Sequence, residues 1–401
     1  MFNNNKDIKF KLAQEIAKQE AGTLLSIKLI NRDELVILMD DPSGFIDKFY
    51  EIVKQACQNN GKYPVIICKQ HEEAYIILPD DQKKVEKIAY IIYCQTQLYI
   101  DPKTPEGYLK CCFASIKFSS NNKIAVDKLL AMLSYGINNS FDRTCYYCFE
   151  DNPIEVEKLQ ENNKKLNWLR DSLRNNKAKF MYQPVIDRKT GNISYYECLL
   201  RIPDENKQLI SVGPIITDAE SKGLISLVDF TVLEMAIQEL RNDRKITLSV
   251  NISNIGVLNK RLLKRAEHLL KKHDVSKRLI IEITETSLNQ DYVTTKKFIN
   301  SLHPLGCRFA LDDFGSGFTS FKQLLNLPVD IIKIDGSFIR DILTNDHSKS
   351  FVEALITLAE DLGVKTVAEF VENGEIAKFL IDINIGGMQG DFFLPASDSR
   401  L

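Results

Sequence analysis

The stretch RFALDDFGSGFTSF, residues 308–321, runs from an apolar segment into two consecutive aspartates and then a loop with two glycines. Similar runs lie on both sides of it. ITLSVNIS (246–253) and RLIIEITET (278–286) precede it, and DIIKIDGS (330–337) and VKTVAEF (364–370) follow. Short β-branched runs alternating with helical patterns read as parallel strands joined by helices, in a barrel or a doubly wound sheet. The roughly 225 residues from Lys177 onward suffice for one barrel.

Almost every one of these runs carries an acid, amide or lysine near its end: Asn251, Glu282, Asp312 and Asp313, Lys333, and Glu369. In a parallel barrel the C-terminal strand ends form the active-site face, so these positions should converge. A single acid at a strand end can simply cap a helix and meet water, but that account fits six such positions in succession poorly. Carboxylate and amide oxygens without His or Cys suit hard cations, Mg²⁺ or Mn²⁺ rather than zinc. Two such ions side by side are the usual arrangement for cleaving a phosphodiester.

Composition narrows the class. At 401 residues the chain has room for two or three domains, and 44% hydrophobic with 26% charged residues is the balance of a packed globular protein. A net charge of -2 offers no long-range attraction to a nucleic-acid polymer. The N-terminus lacks a signal-like apolar core, and the most apolar stretch, Ile88 to Ile100, is broken by Gln95 and Gln97, so no membrane span and a cytoplasmic location are expected. The nine cysteines read as reduced core thiols, and Cys145 and Cys148 form a solitary C-x-x-C without a second pair for zinc.

Three segments are expected. Residues 1–150 contain strand-like runs at 23–30, 63–69 and 74–79 and helical patterns at 45–57 and 126–133, which suggests an α/β sandwich. Residues 151–176 read as a connecting helix, with Asn152 as N-cap and Pro153 in its first turn. Residues 177–401 form the barrel-like domain.

Seven motifs in this last segment occur in a telling order: YQPVIDRKTGNISYYECLLR (182–201), SVNIS (249–253), IEITETS (281–287), ALDDFGSGFTSF (310–321), IIKIDGSFI (331–339), TVAEFVE (366–372) and GGMQGDFF (386–393). Together they resemble the signatures of EAL domains, whose fold is a TIM-like (β/α) barrel. The resemblance implies hydrolysis of cyclic di-GMP to linear pGpG with two Mg²⁺ or Mn²⁺ ions. It also implies roles by position: Glu197, Asn251, Glu282, Asp312 and Asp313 as metal ligands, and Lys333 and Glu369 orienting or deprotonating the attacking water. Gln183, Gln389 and Glu372 would be supporting residues, Arg201 a phosphate contact, and Glu285 the group holding the loop of Gly315 and Gly317. Lys333 is expected to have a depressed pKa beside two cations, and calcium is expected to inhibit.

Three positions depart from the family pattern. Cys198 replaces the middle residue of the name-giving triplet, Phe370 stands where glycine is usual, and Asp391 replaces an aromatic residue. A catalytically silent EAL-like receptor for cyclic di-GMP or a protein partner is therefore the alternative, and a homodimer is a family-based expectation. The N-terminal run VIICKQHEEAYIILPD (65–80) resembles the hairpin bearing the signature of diguanylate cyclases, but its signature positions read Gln70-His71-Glu72-Glu73-Ala74. The resemblance implies a degenerate GGDEF-like domain without synthase activity.

Overall fold

Residues 4–39, 41–102, 104–105, 107–119, 124–140, 146–149, 155–204, 206–315 and 321–400 are described by the structure, a computed structural model. Contacts divide the chain into two units, Met1–Lys158 and Leu159–Leu401. Asn152, Pro153, Cys145 and Gly317 lie outside the described residues.

In the first unit, strands β1 (Ala21–Leu29), β2 (Val65–Cys68), β3 (Glu73–Leu78), β4 (Cys111–Ser119) and β5 (Tyr146–Cys148) form a sheet in the order β2-β3-β1-β4-β5. Side chains alternate between its faces, and both faces are covered. Leu24, Ile77 and Cys112 pack with Leu12, Leu129 and Leu133 of helices Asn4–Ile16 and Val126–Ser140. Leu25, Ile76 and Phe113 pack on the other side with Phe49 and Val85 of helices Ser43–Asn59 and Gln82–Gln97. Among the described residues no helix is long and apolar enough to cross a membrane.

The second unit begins within helix Glu155–Arg174, whose Leu166, Leu169 and Leu173 are buried in the core of that unit. Its strands are β6 (Lys179–Asp187), β7 (Ile193–Pro203), β8 (Leu209–Ser211), β9 (Leu248–Asn251), β10 (Leu279–Thr284), β11 (Arg308–Phe314), β12 (Ile331–Ile334), β13 (Lys365–Ala368) and β14 (Gly387–Met388). The order β6-β14-β13-β12-β11-β10-β9-β7, with β6 pairing back onto β7, closes an eight-stranded barrel, and β8 pairs antiparallel with the last residues of β7.

The barrel is not wholly parallel. Strand β6 runs antiparallel to both β7 and β14, because the short turn after Asp187 folds the chain directly back into β7. Asp187 Oδ1 accepts from the backbone N–H groups of Lys189 and Thr190 at 3.1 Å each, and Gly191 takes the left-handed conformation that the turn requires (φ +69°). The other oxygen, Oδ2, accepts from Lys365 Nζ of β13 at 2.7 Å, and this bond holds the Asp187 carboxyl down at about 2 against the opposing effect of burial.

The folded-state pKa of Asp187 is depressed, so its contribution is present above the ordinary carboxylate range and is lost as pH falls toward 2. Asp187→Asn should cost about 1 kcal/mol at neutral pH. The stability gap between wild type and variant, followed by thermal unfolding from pH 6 downward, should narrow with acid. A gap independent of pH would show that the ion pair contributes nothing.

Inside the barrel, side chains stack in layers. Val185, Tyr195, Ile280, Ala310, Ile331 and Val367 form one buried apolar layer. Two residues away toward one end of the barrel stand Gln183, which precedes Val185 in the antiparallel β6, and Glu197, Glu282, Asp312, Lys333 and Glu369, which follow their layer partners, Glu369 just past the end of β13. The apolar plug thus lies directly beneath a layer of polar and charged groups.

Candidate active site

Lys333 occupies the middle of the polar layer and is fully buried. Its Nζ lies 2.8 Å from Glu282 Oε2, 2.8 Å from Glu369 Oε1, 3.0 Å from Asp312 Oδ1 and 3.1 Å from Glu197 Oε2. An ammonium has three protons, so four oxygens saturate it. Glu197 is further held by Asn251 Nδ2 on Oε1 (2.9 Å) and by Gln389 Nε2 on Oε2 (2.7 Å), and the same Gln389 amide donates to Gln183 Oε1 at 3.0 Å. Strands β9 and β12 and the segment after β14 therefore converge on this one carboxylate of β7.

Strand geometry explains how Asp312 and Asp313 both serve this end of the barrel. Pairing of β11 with β12 shifts register between Leu311 and Phe314, and Asp313 adopts φ +54°. This bulge re-aims two consecutive side chains that a regular strand would send to opposite faces. Oxygens of Asp312, Asp313 and Glu369 then lie within 4.8 Å of one another. Glu285 accepts a hydrogen bond from Gly315 N–H at 2.9 Å, tying down the segment that leaves Asp313.

Burial and mutual repulsion set the charges. Burial, reinforced by Glu197, pushes Glu282 up to about 8. Burial also raises Asp312, lifts Glu369 well above the usual carboxylate range and, with help from Asp312 and Asp335, brings Asp313 to about 6. Glu197 is the exception, because Lys333, Gln389 and Asn251 outweigh its burial and hold its pKa down. In the absence of cations, burial alone would lower Lys333, but Asp312, Glu197, Glu282 and Glu369 together raise it well above the ordinary lysine value.

The donor set suits a hard divalent cation. It consists of oxygens, it places five carboxyl groups around one buried ammonium, and among the described residues Glu282 Oε1 is a buried oxygen without a hydrogen-bond partner. Carboxyls that hold protons near neutral pH can exchange them for a cation. If Glu285 acts through the Asp313 segment, Glu285→Ala should weaken Mn²⁺ binding roughly tenfold or more without unfolding the protein. Calorimetric titration with Mn²⁺ alone measures this, and an unchanged affinity would remove Glu285 from the support of the site.

Beside the cluster opens a cavity of about 420 Å³, whose walls include Arg201, Asn251, Ser253, Asn254, Asp312 and Asp313. Arg201 is half-buried there and donates to Leu200 O at 3.0 Å. Glu372 is not drawn into the cluster and stays at the surface, its Oε1 3.8 Å from Arg340 Nε. Asp391 is exposed and outside the network of the neighbouring Gln389. Cys198 is buried in the barrel-unit core, so the substitution leaves Glu197 in place.

Asp229 was not picked out from sequence. It is buried and accepts from the Ser253 N–H (3.0 Å) and hydroxyl (2.7 Å), fixing the turn that follows Asn251. An acid between the apolar residues Val228 and Phe230 of a helix pattern was the available sign.

A closed barrel with an oxygen-donor cluster around a buried lysine at one mouth defines a barrel protein able to hold a divalent cation. The family model described as "EAL domain" matches residues 166–396, and the chain belongs to the EAL family. Over 230 residues the chain is 34% identical to the cyclic di-GMP phosphodiesterase PdeF of Escherichia coli, covering 56% of this chain and 30% of that protein. With the cyclic di-GMP phosphodiesterase PdeA of Borreliella burgdorferi it shares 28% identity over 281 residues, covering 69% and 42%. A Synechocystis protein, sll1895, is 25% identical across 98% of this chain and 59% of its own length. The chain thus spans roughly a third to three fifths of these relatives.

Among solved structures, the PaMucR phosphodiesterase in complex with c-di-GMP is similar at 28% identity and a TM-score of 0.55, covering 58% of this chain and 96% of that one. The FimX EAL domain from Pseudomonas aeruginosa bound to c-di-GMP is similar at 25% identity and a TM-score of 0.54, with the same coverage.

Proposed function

We propose that the second unit hydrolyses cyclic di-GMP to linear pGpG, using two Mg²⁺ or Mn²⁺ ions, in cytoplasmic second-messenger signalling. The observation that carries this reading is the complete buried set, Lys333 bridging Glu197, Glu282, Asp312 and Glu369, next to the Asp312, Asp313 and Glu369 oxygens. Bound ions would polarise the phosphoryl group and ease deprotonation of water. Glu197, Asn251, Glu282, Asp312 and Asp313 would hold them.

Within the chain, Lys333 would orient the carboxylates, since four of their oxygens lie within 3.1 Å of its Nζ. Glu369, whose Oε1 lies 2.8 Å from Lys333 Nζ and beside the Asp312 and Asp313 oxygens, would take the proton of the attacking water once a bound cation has displaced its own. Water adds to phosphorus, one ring P–O bond breaks, and the departing ribose oxygen is protonated. Arg201, in the wall of the cavity, is placed for a bidentate phosphate contact. Chromatography of products after incubation with Mg²⁺ or Mn²⁺ tests the reading, and pGpG is the expected product.

A silent receptor is the second reading, favoured by one observation: Phe370, directly after Glu369, holds a left-handed backbone conformation at φ +52°. Binding in calcium without turnover in magnesium would identify it. For the N-terminal unit we infer a degenerate cyclase-like domain without synthase activity. Supporting this, the β2–β3 turn carries Glu72 at φ +51° locked to Arg32 Nε at 2.9 Å, instead of a glycine turn open to a nucleotide. Cyclic di-GMP formed from GTP by the purified protein would overturn that inference. A homodimer through the exposed apolar residues Ile255, Leu258, Val293 and Leu325 belongs to the same proposal. Sedimentation showing only monomer at high concentration would remove it.

A further inference from the structure

Phe370 combines three features that a filler side chain would not. Its backbone lies at φ +52°, a region that disfavours residues with a Cβ and bulky ones most of all. The residue is 49% exposed although it follows the buried Glu369 directly. The ring is also fixed in place: the Arg340 guanidinium carbon stands 4.3 Å from its centroid, and a Cβ on Gly336 would overlap it.

Arg340 is tethered in turn by Glu372, with Nε 3.8 Å from Oε1. Gly336 lies just past β12 and Phe370 just past β13, so the ring sits on the rim at the end of the barrel where Lys333 and Glu369 meet. A strained, exposed aromatic side chain, with a guanidinium over its ring and Gly336 close against its Cγ–Cδ2 edge, is a prepared stacking surface.

We propose that Phe370 is a specificity-determining residue: its ring, held by Arg340 and Gly336, stacks against the purine base of a nucleotide whose phosphate enters the carboxylate cluster. This rests on the cyclic-dinucleotide reading for the identity of the physiological ligand, but the stacking itself can be tested apart from it. Stacking on an aromatic side chain is tolerant of base identity, so the shelf selects base-bearing phosphodiesters over base-free ones.

The test uses the full chain in Mg²⁺. In Phe370→Trp, the new indole reports stacking directly, read against the wild-type signal of Trp168. Cyclic di-GMP and GMP should quench the new fluorescence and ribose 5-phosphate should not. Phe370→Leu should raise KM for cyclic di-GMP roughly tenfold with kcat little changed, and Phe370→Trp should restore it. If no base-bearing ligand quenches the indole, or if Phe370→Leu lowers kcat and leaves KM unchanged, the ring serves only to position Glu369 and the proposal fails. Quenching by GMP in a protein whose wild type turns over no cyclic di-GMP would instead overturn the phosphodiesterase reading and leave the shelf standing.

Discussion

Lys333→Met should abolish turnover and lower the melting temperature of the metal-free protein by about 10 °C, with Mn²⁺ recovering a large part of that loss. The physical basis is the four carboxylate oxygens within 3.1 Å of Nζ. Removing one partner of a buried ionic cluster costs roughly 3–5 kcal/mol, because the charges left behind must be neutralised or stay unpaired. In a unit of this size each kcal/mol shifts melting by about 2–4 °C. A divalent cation supplies the missing charge to the same oxygens, so the stabilisation by Mn²⁺ should be greater in the variant than in the wild type. Scanning fluorimetry with and without Mn²⁺ measures both. A variant as stable as wild type without metal would show that the cluster is offset by protons alone.

Asp312→Asn carries the second large effect: affinity for Mn²⁺ should fall at least about 100-fold and turnover with it, since Asp312 touches Lys333 and belongs to the Asp312, Asp313 and Glu369 oxygen triad. In the wild type, Mn²⁺ affinity should rise with pH. Glu282 at about 8 and Asp313 at about 6 hold protons that the cation must displace, so a higher pH removes competitors for the site. The same raised values mean that the metal-free fold loses stability as pH climbs from the ordinary carboxylate range toward 8. Calorimetry at pH 6, 7 and 8 follows the trend. An affinity independent of pH would mean that these carboxyls are ionised before the metal arrives.

Much of the site was legible in sequence because parallel strands buried on both faces are almost continuously apolar. Against IIEI, FALDD, IIKI and TVAE, a Glu, Asp or Lys stands out, and Glu282, Asp312, Lys333 and Glu369 do meet in one layer. Gln183 and Glu197 were placed only through the family resemblance, since nothing local tells that β6 and β7 are antiparallel neighbours pairing at those two residues.

The surroundings of Lys333 were not legible for a related reason. Its pKa depends on four side chains from four other strands or their ends, and no spacing rule counts them. Phe370 was noticed as an unusual residue, but its left-handed backbone, its exposure and its contact with Arg340 are properties of the folded rim. Asp229 required knowing that its helix packs beneath the turn after Asn251.

The measurement that bears most directly on the central claim is turnover of cyclic di-GMP by the full chain in Mg²⁺ or Mn²⁺, with Glu197→Ala as control and products resolved by chromatography. Glu197 receives hydrogen bonds from Asn251, Gln389 and Lys333, so the control removes the group on which the network closes. Formation of pGpG by the wild type and none by the variant is the expected result. Ligand binding without product in the wild type would contradict the account and make this barrel a receptor.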